Sequence, residues 1–196
     1  MLKIGLTGGL ASGKSFILNL FKKEGFFTIK ADEIAKELYK REGSLKAELI
    51  KKFGEEIFKD EKINKKALEE ILFENREKRR IFEKLFYSYF IPFQEKLFKK
   101  YFRIHKALVY ESALLFEVGT YKKFDIIILT YCSRENQIKR AVERGISREK
   151  ALKILKFQIP PDKLLGRVNF LINTDTTPQK TVEQTKKIIK EIKKLF

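Results

Sequence analysis

The stretch LKIGLTGGLASGKS, residues 2–15, decides the fold of this chain. Its first half, LKIGLT (2–7), is short and apolar and is followed by glycine, which predicts a buried strand. Residues 8–15 match the pattern G-x-x-x-x-G-K-S/T, and KSFILNLFKKEG (14–25) predicts a helix that Gly25 ends. A glycine-rich loop between a strand and a helix is the setting in which this pattern binds a nucleoside triphosphate.

Each residue type in this loop has a physical task. Gly8 and Gly13 permit backbone conformations that turn N–H groups toward a phosphate, and the helix dipole adds to the field. Lys14 is expected to reach the β- and γ-phosphates, and the Ser15 hydroxyl to ligate Mg²⁺. The residues expected to bind ATP are Gly9, Leu10, Ala11, Ser12, Gly13, Lys14, Ser15 and Phe16. The alternative, a chance glycine turn with a surface lysine, leaves the flanking strand and helix unexplained.

The rest of the chain alternates apolar strands with amphipathic helices. Further strands are expected at 26–30, 107–112, 125–130 and 168–172. Between 31 and 103, apolar residues three and four apart predict helices, the last of them kinked or restarted at Pro92. Ser133, Ser147 and Thr177 are the expected N-caps of three later helices. Five strands with intervening helices predict an α/β fold with a parallel sheet covered on both faces.

The composition bounds the class of protein. Among 196 residues, 43 Lys+Arg against 26 Asp+Glu give a charge of +17, and 43% apolar residues exclude a wholly disordered basic tail. No apolar run reaches the ~18 residues of a membrane span, and the start does not resemble a signal peptide. The single cysteine, Cys132, suits a reducing compartment, so we expect a cytoplasmic protein in which Cys132 packs. His105 is the only histidine, which disfavours a zinc cluster or a catalytic triad.

Three carboxylates are candidates for chemistry near the loop. Asp32 follows the second predicted strand by two residues, and parallel sheets bind ligands beyond the carboxyl ends of their strands. Asp32 is therefore expected to face Lys14 and to accept a proton from an attacking hydroxyl, although helix dipoles also favour aspartate there. Glu111 ends the strand ALVYE, where carboxylates hold Mg²⁺ through water, and Glu117 lies six residues further on. Either glutamate is alternatively a plain surface residue.

Arginines are concentrated after the fourth predicted strand, at Arg134, Arg140, Arg144 and Arg148. Arg140 and Arg144 are four residues apart and so share a helix face. Guanidinium groups donate paired hydrogen bonds to phosphate oxygens, so a helical hairpin here is expected to close over the nucleotide as a lid. The alternative is a solvated charged face.

Four stretches together resemble the dephospho-coenzyme A kinase family of P-loop kinases. They are GLTGGLASGKS (5–15), IKADEIAKELY (29–39), VYESALLFEVG (109–119) and QIKRAVERGISREKALKILKFQ (137–158). The resemblance implies one P-loop kinase domain with a five-stranded parallel sheet. It comprises a core (about 1–31, 104–133 and 166–196), a helical coenzyme-binding insertion (about 32–103) and a lid (about 134–165).

The resemblance also implies an activity, the ATP-dependent phosphorylation of the ribose 3′-hydroxyl of dephospho-coenzyme A, which gives coenzyme A and ADP. The implied catalytic residues are Asp32 as general base with Lys14, Arg140 and Arg144. The implied substrate-binding residues are Asp32, Glu111, Leu115 and Glu117, and Mg²⁺ is held by Ser15 and, through water, Glu111. The implied partners are ATP and dephospho-coenzyme A, without specific nucleic acid or membrane, in a monomer or small homo-oligomer.

Some positions depart from the family pattern. Lys30 replaces the first aspartate of I-D-A-D, and Glu111 and Ala113 replace the aspartate and proline of V-D-V-P. The other departures are Ile91 for a histidine, Ile154 for a lid arginine and Asn169 for an aspartate of the last strand. The loop, the base and two lid arginines are retained.

Two alternatives stay open. Another small P-loop kinase acting on a nucleoside or nucleotide would show the same fold and lid. The charge of +17 suggests a nucleic-acid-binding protein, but no such motif is recognisable and the lysines are spread over nearly every helix. A positive field would also steer polyanionic substrates, and abundant lysine with glutamate is typical of heat-adapted proteins.

Overall fold

The computed structural model describes residues 2–59 and 62–195. Two compact units are present, Met1–Ala31 with Phe102–Phe196, and Asp32–Tyr101. In chain order the strands are β1 (Leu2–Gly8), β2 (Phe27–Lys30), β3 (Phe58–Lys59), β4 (Lys62–Ile63), β5 (Ala107–Glu111), β6 (Ile126–Tyr131) and β7 (Phe170–Asn173). The α-helices are α1 (Lys14–Lys23), α2 (Ala31–Arg41), α3 (Gly43–Phe53), α4 (Lys65–Glu74), α5 (Arg76–Tyr101), α6 (Arg134–Glu143), α7 (Arg148–Phe157) and α8 (Pro178–Lys193).

A five-stranded parallel sheet forms the centre of the first unit, in the order β2-β5-β1-β6-β7. The middle strand, β1, is flanked on both sides, and its Ile4 and Leu6 are fully buried. These residues pack with apolar side chains of α1 and α8, including Phe21 and Ile192. The predicted α/β fold with a parallel sheet is therefore confirmed, with strand limits that differ by one or two residues.

Side-chain caps fix the starts of three helices in this unit. The oxygens of Ser133, Ser147 and Thr177 accept hydrogen bonds from backbone N–H groups three residues further on, at 3.4, 3.2 and 3.3 Å. All three predicted N-caps are confirmed. Such caps satisfy N–H groups that have no partner within the helix and stabilise it by about 1 kcal/mol each.

The second unit combines helices α2 to α5 with a small antiparallel hairpin, in which β3 pairs with β4. The prediction that the whole of 31–103 is helical is therefore wrong at this hairpin. Helix α5 runs for 26 residues through Pro92, so a restart there is also wrong. Proline removes the hydrogen bond to the Ser88 carbonyl, but Ser88 is exposed and water can bind that carbonyl instead.

Phenylalanines hold α5 in place within this unit. Phe82, Phe86 and Phe90 are buried, and successive ring centroids lie 5.7 and 5.1 Å apart. Phe53 and Tyr39 pack edge-on and tilted against the same row. These contacts and their burial make the phenylalanines part of the core of this unit. Within residues 2–59 and 62–195, no helix is both long enough and apolar enough to cross a membrane.

Candidate active site at the phosphate loop

The phosphate loop, residues 8–15, turns sharply between β1 and α1. Gly8 has φ +148° and Gly13 has φ +90°. A β-carbon at Gly8 would collide with the side-chain and backbone oxygens of Thr130, and one at Gly13 would lie 3.1 Å from Cγ2 of Thr174. Backbone conformation and lack of space both favour glycine at position 8, whereas at position 13 the positive φ is the main reason and the space is only tight.

Buried hydroxyl groups hold the loop against the ends of the neighbouring strands. Ser12 Oγ lies 2.6 Å from Thr130 Oγ1, which in turn donates to the Thr7 carbonyl at 3.2 Å. Thr174 Oγ1 lies 3.0 Å from the Ser12 carbonyl oxygen. The loop is thus anchored to β6 and to the residue that follows β7, and its conformation is set by polar contacts as well as by glycine.

Lys14 and Ser15, the residues predicted to contact the phosphates and Mg²⁺, are the first two residues of α1. Lys14 Nζ donates to the carbonyl oxygens of Gly8 at 2.9 Å and Gly9 at 2.8 Å. Ser15 Oγ donates to Glu111 Oε1 at 3.2 Å. The structure therefore brings Glu111, at the end of β5, beside the loop serine.

The pair of oxygens from Ser15 and Glu111 fits a hard divalent cation. Adjacent ligands of octahedral Mg²⁺ are ~2.9 Å apart, since each ligand lies 2.0–2.1 Å from the metal. The observed 3.2 Å between Ser15 Oγ and Glu111 Oε1 is close to that spacing. A hydroxyl and a carboxylate are also the donor types that Mg²⁺ prefers.

The hairpin of α6 and α7 packs on the loop through small residues and two glutamines. Ala11 packs against Ala141 and Ala151. The backbone N–H of Leu10 donates to Gln158 Oε1 at 2.8 Å, and a β-carbon at Gly9 would meet Nε2 of the buried Gln137. The hairpin predicted to be a lid thus contacts the loop at residues 9–11.

Arg140, within α6, and Arg144, at its end, have different surroundings. Arg140 donates from Nη1 to Thr174 Oγ1 at 3.0 Å and from Nη2 to the Thr174 carbonyl at 2.6 Å. Arg144 is the C-cap residue of α6 and its side chain is exposed. Their common helix face therefore gives one anchored and one solvent-facing guanidinium group.

The segment LLFE (114–117) contacts the chain just after the hairpin of α6 and α7. Glu117 Oε1 accepts a hydrogen bond from the Ile159 N–H at 2.8 Å. Phe116 stacks on Tyr121 with ring centroids 4.6 Å apart, and the Arg167 guanidinium lies 4.9 and 4.6 Å from the two rings. The side chain of Leu115 is fully buried. The substrate roles of Glu117 and Leu115 stay predictions.

Asp32 and Phe16 are both accessible to solvent. Asp32 lies in the first turn of α2 and begins the second unit, two residues after β2 ends at Lys30. Phe16 lies in the first turn of α1 and is 44% exposed. Their predicted roles, as general base and in ATP binding, stay predictions.

Hydrogen bonding and burial shift two pKa values beside the loop. Burial raises the pKa of Asp175, but hydrogen bonds from Asn136 and Ser133 and the charge of Arg140 outweigh it, so the pKa is lowered. The two hydrogen bonds, from the Ser133 N–H and Asn136 Nδ2, are 2.7 and 2.8 Å long. Burial raises the pKa of the Cys132 thiol, despite the opposing charge of Arg140. Cys132 is 2% exposed, which confirms the predicted packing role.

Comparison with known proteins identifies the family. A family model described as dephospho-CoA kinase matches residues 2–193. The chain belongs to the dephospho-CoA kinase family. It is therefore an enzyme, a P-loop kinase that uses ATP, and the resemblance of its four motifs is confirmed.

Relatives in the dephospho-CoA kinase family match over the full chain. The dephospho-CoA kinase of Aquifex aeolicus is 31% identical over 193 residues, covering 98% of each chain. That of Arabidopsis thaliana is 33% identical over 195 residues, covering 97% of this chain and 84% of the relative. The solved dephospho-CoA kinase of Campylobacter jejuni superposes with a TM-score of 0.73 at 26% identity, covering 98% and 97%.

More distant kinases share only the fold with this member of the dephospho-CoA kinase family. A shikimate kinase from Acinetobacter baumannii superposes with a TM-score of 0.55 at 14% identity, covering 98% of this chain and 93% of the neighbour. A deoxyadenosine kinase from M. mycoides gives 0.53 at 16% identity, covering 98% and 100%. These similarities support the P-loop kinase fold and do not identify the substrate.

One departure from the dephospho-CoA kinase pattern lies away from the loop. Asn169 Oδ1 accepts a hydrogen bond from the Ile127 N–H at 2.8 Å, and its own N–H donates to the Ile127 carbonyl at 2.9 Å. Ile127 is near the amino end of β6, whereas the loop lies at the carboxyl ends of the strands. Asn169 therefore ties the start of β7 to β6, at the end of the sheet opposite the loop.

Sequence reasoning assigned no site role to Gln137, Gln158 or Thr174. One signal was available for Gln137, because it lies one and four residues before Ile138 and Ala141, and all three share the buried face of α6. A glutamine on the buried face of a helix requires a polar partner. Nothing local to Thr174 distinguishes it from the other threonines of 174–177.

Proposed function

We propose that this chain transfers the γ-phosphoryl group of ATP to the ribose 3′-hydroxyl of dephospho-coenzyme A. The observation that carries the proposal is the family match over residues 2–193 together with an intact phosphate loop at the start of α1. We infer the substrate from the activity named for the relatives, and the role of each residue from the geometry of this chain.

The loop binds the triphosphate. Lys14 Nζ is held by the Gly8 and Gly9 carbonyls and exchanges them for β- and γ-phosphate oxygens when ATP arrives. Backbone N–H groups and the positive end of α1 stabilise the same negative charge. This arrangement orients the γ-phosphate and neutralises charge that moves onto ADP as the phosphoryl group leaves.

The cation site is formed by Ser15 and Glu111. The Ser15 hydroxyl would ligate Mg²⁺, and Glu111 would hold it directly or through a water molecule. When bound, Mg²⁺ neutralises phosphate charge. The longer arm of Glu111, where the family has aspartate, still reaches the loop serine in this chain.

Asp32 is the general base of this proposal. Its carboxylate accepts the proton of the 3′-hydroxyl while the oxygen forms a bond to the γ-phosphorus. The bond from that phosphorus to the β,γ-bridging oxygen breaks, and ADP leaves with the electron pair. The side chain of Arg144 is exposed and could approach the transferred group. We assign coenzyme binding to the helical insertion of about 32–103.

The role of Asp32 is tested by Asp32→Asn with Glu33→Gln as matched control. Both residues are acidic and lie in the first turn of α2. Each variant therefore removes one negative charge that interacts favourably with the helix dipole. A general base predicts that only Asp32→Asn lowers kcat, by ~10²–10⁴-fold, with nearly unchanged ATP binding. Similar kcat values for the two variants would show that Asp32 only stabilises the helix start.

The acceptor is tested by a panel that measures ADP formation with dephospho-coenzyme A, adenosine, AMP and cytidine. The proposal expects the highest kcat/KM with dephospho-coenzyme A. Comparable or faster turnover with adenosine or cytidine would instead identify a nucleoside kinase, whose fold is equally compatible with this chain.

We assign the cationic surplus to capture of polyanionic substrates. The charge of +17 produces a positive field that attracts ATP and dephospho-coenzyme A, with association rates that fall as salt rises. The nucleic-acid alternative is tested by adding saturating RNA at fixed ionic strength, and turnover that RNA leaves unchanged would contradict that alternative. Strong competition by RNA would favour the nucleic-acid alternative. The cytoplasmic location and the small oligomeric state stay predictions.

A further inference from the structure

Thr174, which directly follows β7, contacts the phosphate loop and the lid helix at once. It is 5% exposed. Its hydroxyl accepts a hydrogen bond from Arg140 Nη1 at 3.0 Å and lies 3.0 Å from the Ser12 carbonyl and 3.2 Å from the Tyr131 carbonyl. Its own carbonyl accepts from Arg140 Nη2 at 2.6 Å. One residue thus links α6, β6 and the loop.

The Thr174 hydroxyl donates its hydrogen bond to the Ser12 carbonyl. A threonine hydroxyl donates one hydrogen bond and accepts others, so only one of the two nearby carbonyls receives the proton at a time. The Tyr131 carbonyl already accepts the Thr174 N–H at 2.8 Å. Arg140 Nη1 donates to the same hydroxyl, which leaves the hydroxyl proton available for the Ser12 carbonyl.

The methyl group of Thr174 supports the next residue of the loop. Its Cγ2 lies 3.1 Å from the point where a β-carbon of Gly13 would stand. Thr174 therefore contacts Ser12 through its hydroxyl, and its methyl group lies in the space that a side chain at Gly13 would need. Lys14 follows them directly, so any shift of this turn moves the lysine and the N–H groups that face the phosphates.

We propose that Thr174 is a positioning residue that holds the Ser12–Gly13 turn in its nucleotide-binding conformation, and that Arg140 acts partly through it. This inference rests on the proposed function only in that the loop binds ATP. Affinity is gained when a binding loop is already ordered, because less conformational entropy is lost on binding. Arg140, on the lid helix, is thereby coupled to the loop through a hydroxyl, apart from any contact with nucleotide.

Two variants separate the hydroxyl from the methyl group. Thr174→Val keeps the shape and removes the hydroxyl, whereas Thr174→Ser keeps the hydroxyl and removes the methyl group. Calorimetric titration with MgADP is expected to show about tenfold weaker binding for Thr174→Val and a change below threefold for Thr174→Ser. Thermal unfolding of both variants verifies that each is folded at the titration temperature.

Three outcomes would overturn the proposal. MgADP affinity unchanged in Thr174→Val means that the hydroxyl does not position the loop. Equal loss in both variants assigns the effect to packing. If Thr174→Val also has a lower Tm while its MgADP affinity is unchanged, Thr174 is a purely structural residue. Because dephospho-coenzyme A is absent from the titration, wild-type protein that binds MgADP but fails to phosphorylate that acceptor would refute the proposed function alone.

The coupling to Arg140 is tested by Arg140→Gln in the wild-type and Thr174→Val backgrounds. If Arg140 acts partly through the Thr174 hydroxyl, Arg140→Gln weakens MgADP binding less in the Thr174→Val background than in the wild type. If the two effects multiply, Arg140 acts independently of Thr174, and this part of the proposal is wrong.

Discussion

Replacing Gly8 by alanine tests how closely the phosphate loop is held against β6. Gly8 has φ +148°, and an alanine β-carbon would collide with both oxygens of Thr130 and lie 2.7 Å from Ser12 Oγ. The Thr130 backbone is fixed because it pairs with Gly8 in the sheet, so it cannot move aside cheaply. Unfavourable backbone conformation costs ~1–2 kcal/mol and overpacking ~1–3 kcal/mol, so the free energy of unfolding should fall by about 2–5 kcal/mol.

The matched control is Gly145→Ala. Gly145 has φ +80°, and no described atom outside its chain neighbours lies within 4 Å of its β-carbon position, so only backbone strain is added. Its expected loss is about 1–2 kcal/mol. Urea unfolding followed by circular dichroism gives both values. If the two variants lose free energy of unfolding to within about 0.5 kcal/mol of each other, crowding against Thr130 does not explain the need for glycine at position 8.

Three further predictions concern neighbouring residues. Asp175→Asn should lower the free energy of unfolding by less than about 1 kcal/mol at pH 7, because the folded chain stabilises the carboxylate but solvent screens this exposed group. Since folding lowers the pKa of Asp175, its stabilising contribution is present above about pH 4 and disappears as the pH falls through the pKa of the folded state. Urea unfolding of both proteins at several pH values measures this contribution. A difference in stability that does not change with pH would contradict the prediction. The buried Cys132 thiol should react with a disulfide reagent only as fast as the chain unfolds, and rapid labelling of folded protein would contradict this. Arg144→Ala should lower kcat tenfold or more with less than threefold change in the KM for dephospho-coenzyme A, whereas a change in KM alone would assign Arg144 to ground-state binding.

Local chemistry explains why much of the fold could be predicted. The strand, glycine loop and helix of residues 2–25 form a contiguous pattern, and the caps Ser133, Ser147 and Thr177 act within three residues of themselves. The hairpin of β3 and β4 was not predictable, since strands of two residues have no alternation to detect. Helix α5 passes Pro92 because burial of its phenylalanines outweighs one lost hydrogen bond.

Contacts distant in sequence explain why the site was predicted only in part. Glu111 lies beside Ser15 as expected, because both follow from strand ends of a parallel sheet. Helical spacing gave Arg140 and Arg144 a common face but not their partners, and the partner of Arg140 is Thr174, 34 residues away. The same holds for Gln158, which bonds the loop across 148 residues of sequence.

The proposed function places the new phosphate on one particular hydroxyl group, the ribose 3′-hydroxyl of dephospho-coenzyme A. The most direct measurement is to incubate the protein with ATP, Mg²⁺ and dephospho-coenzyme A and to locate the new phosphate by phosphorus NMR and mass spectrometry. We predict one product, coenzyme A with a 3′-phosphomonoester, formed in step with ADP. ADP formation without phosphorylated coenzyme, or phosphate at another position, would contradict the assignment.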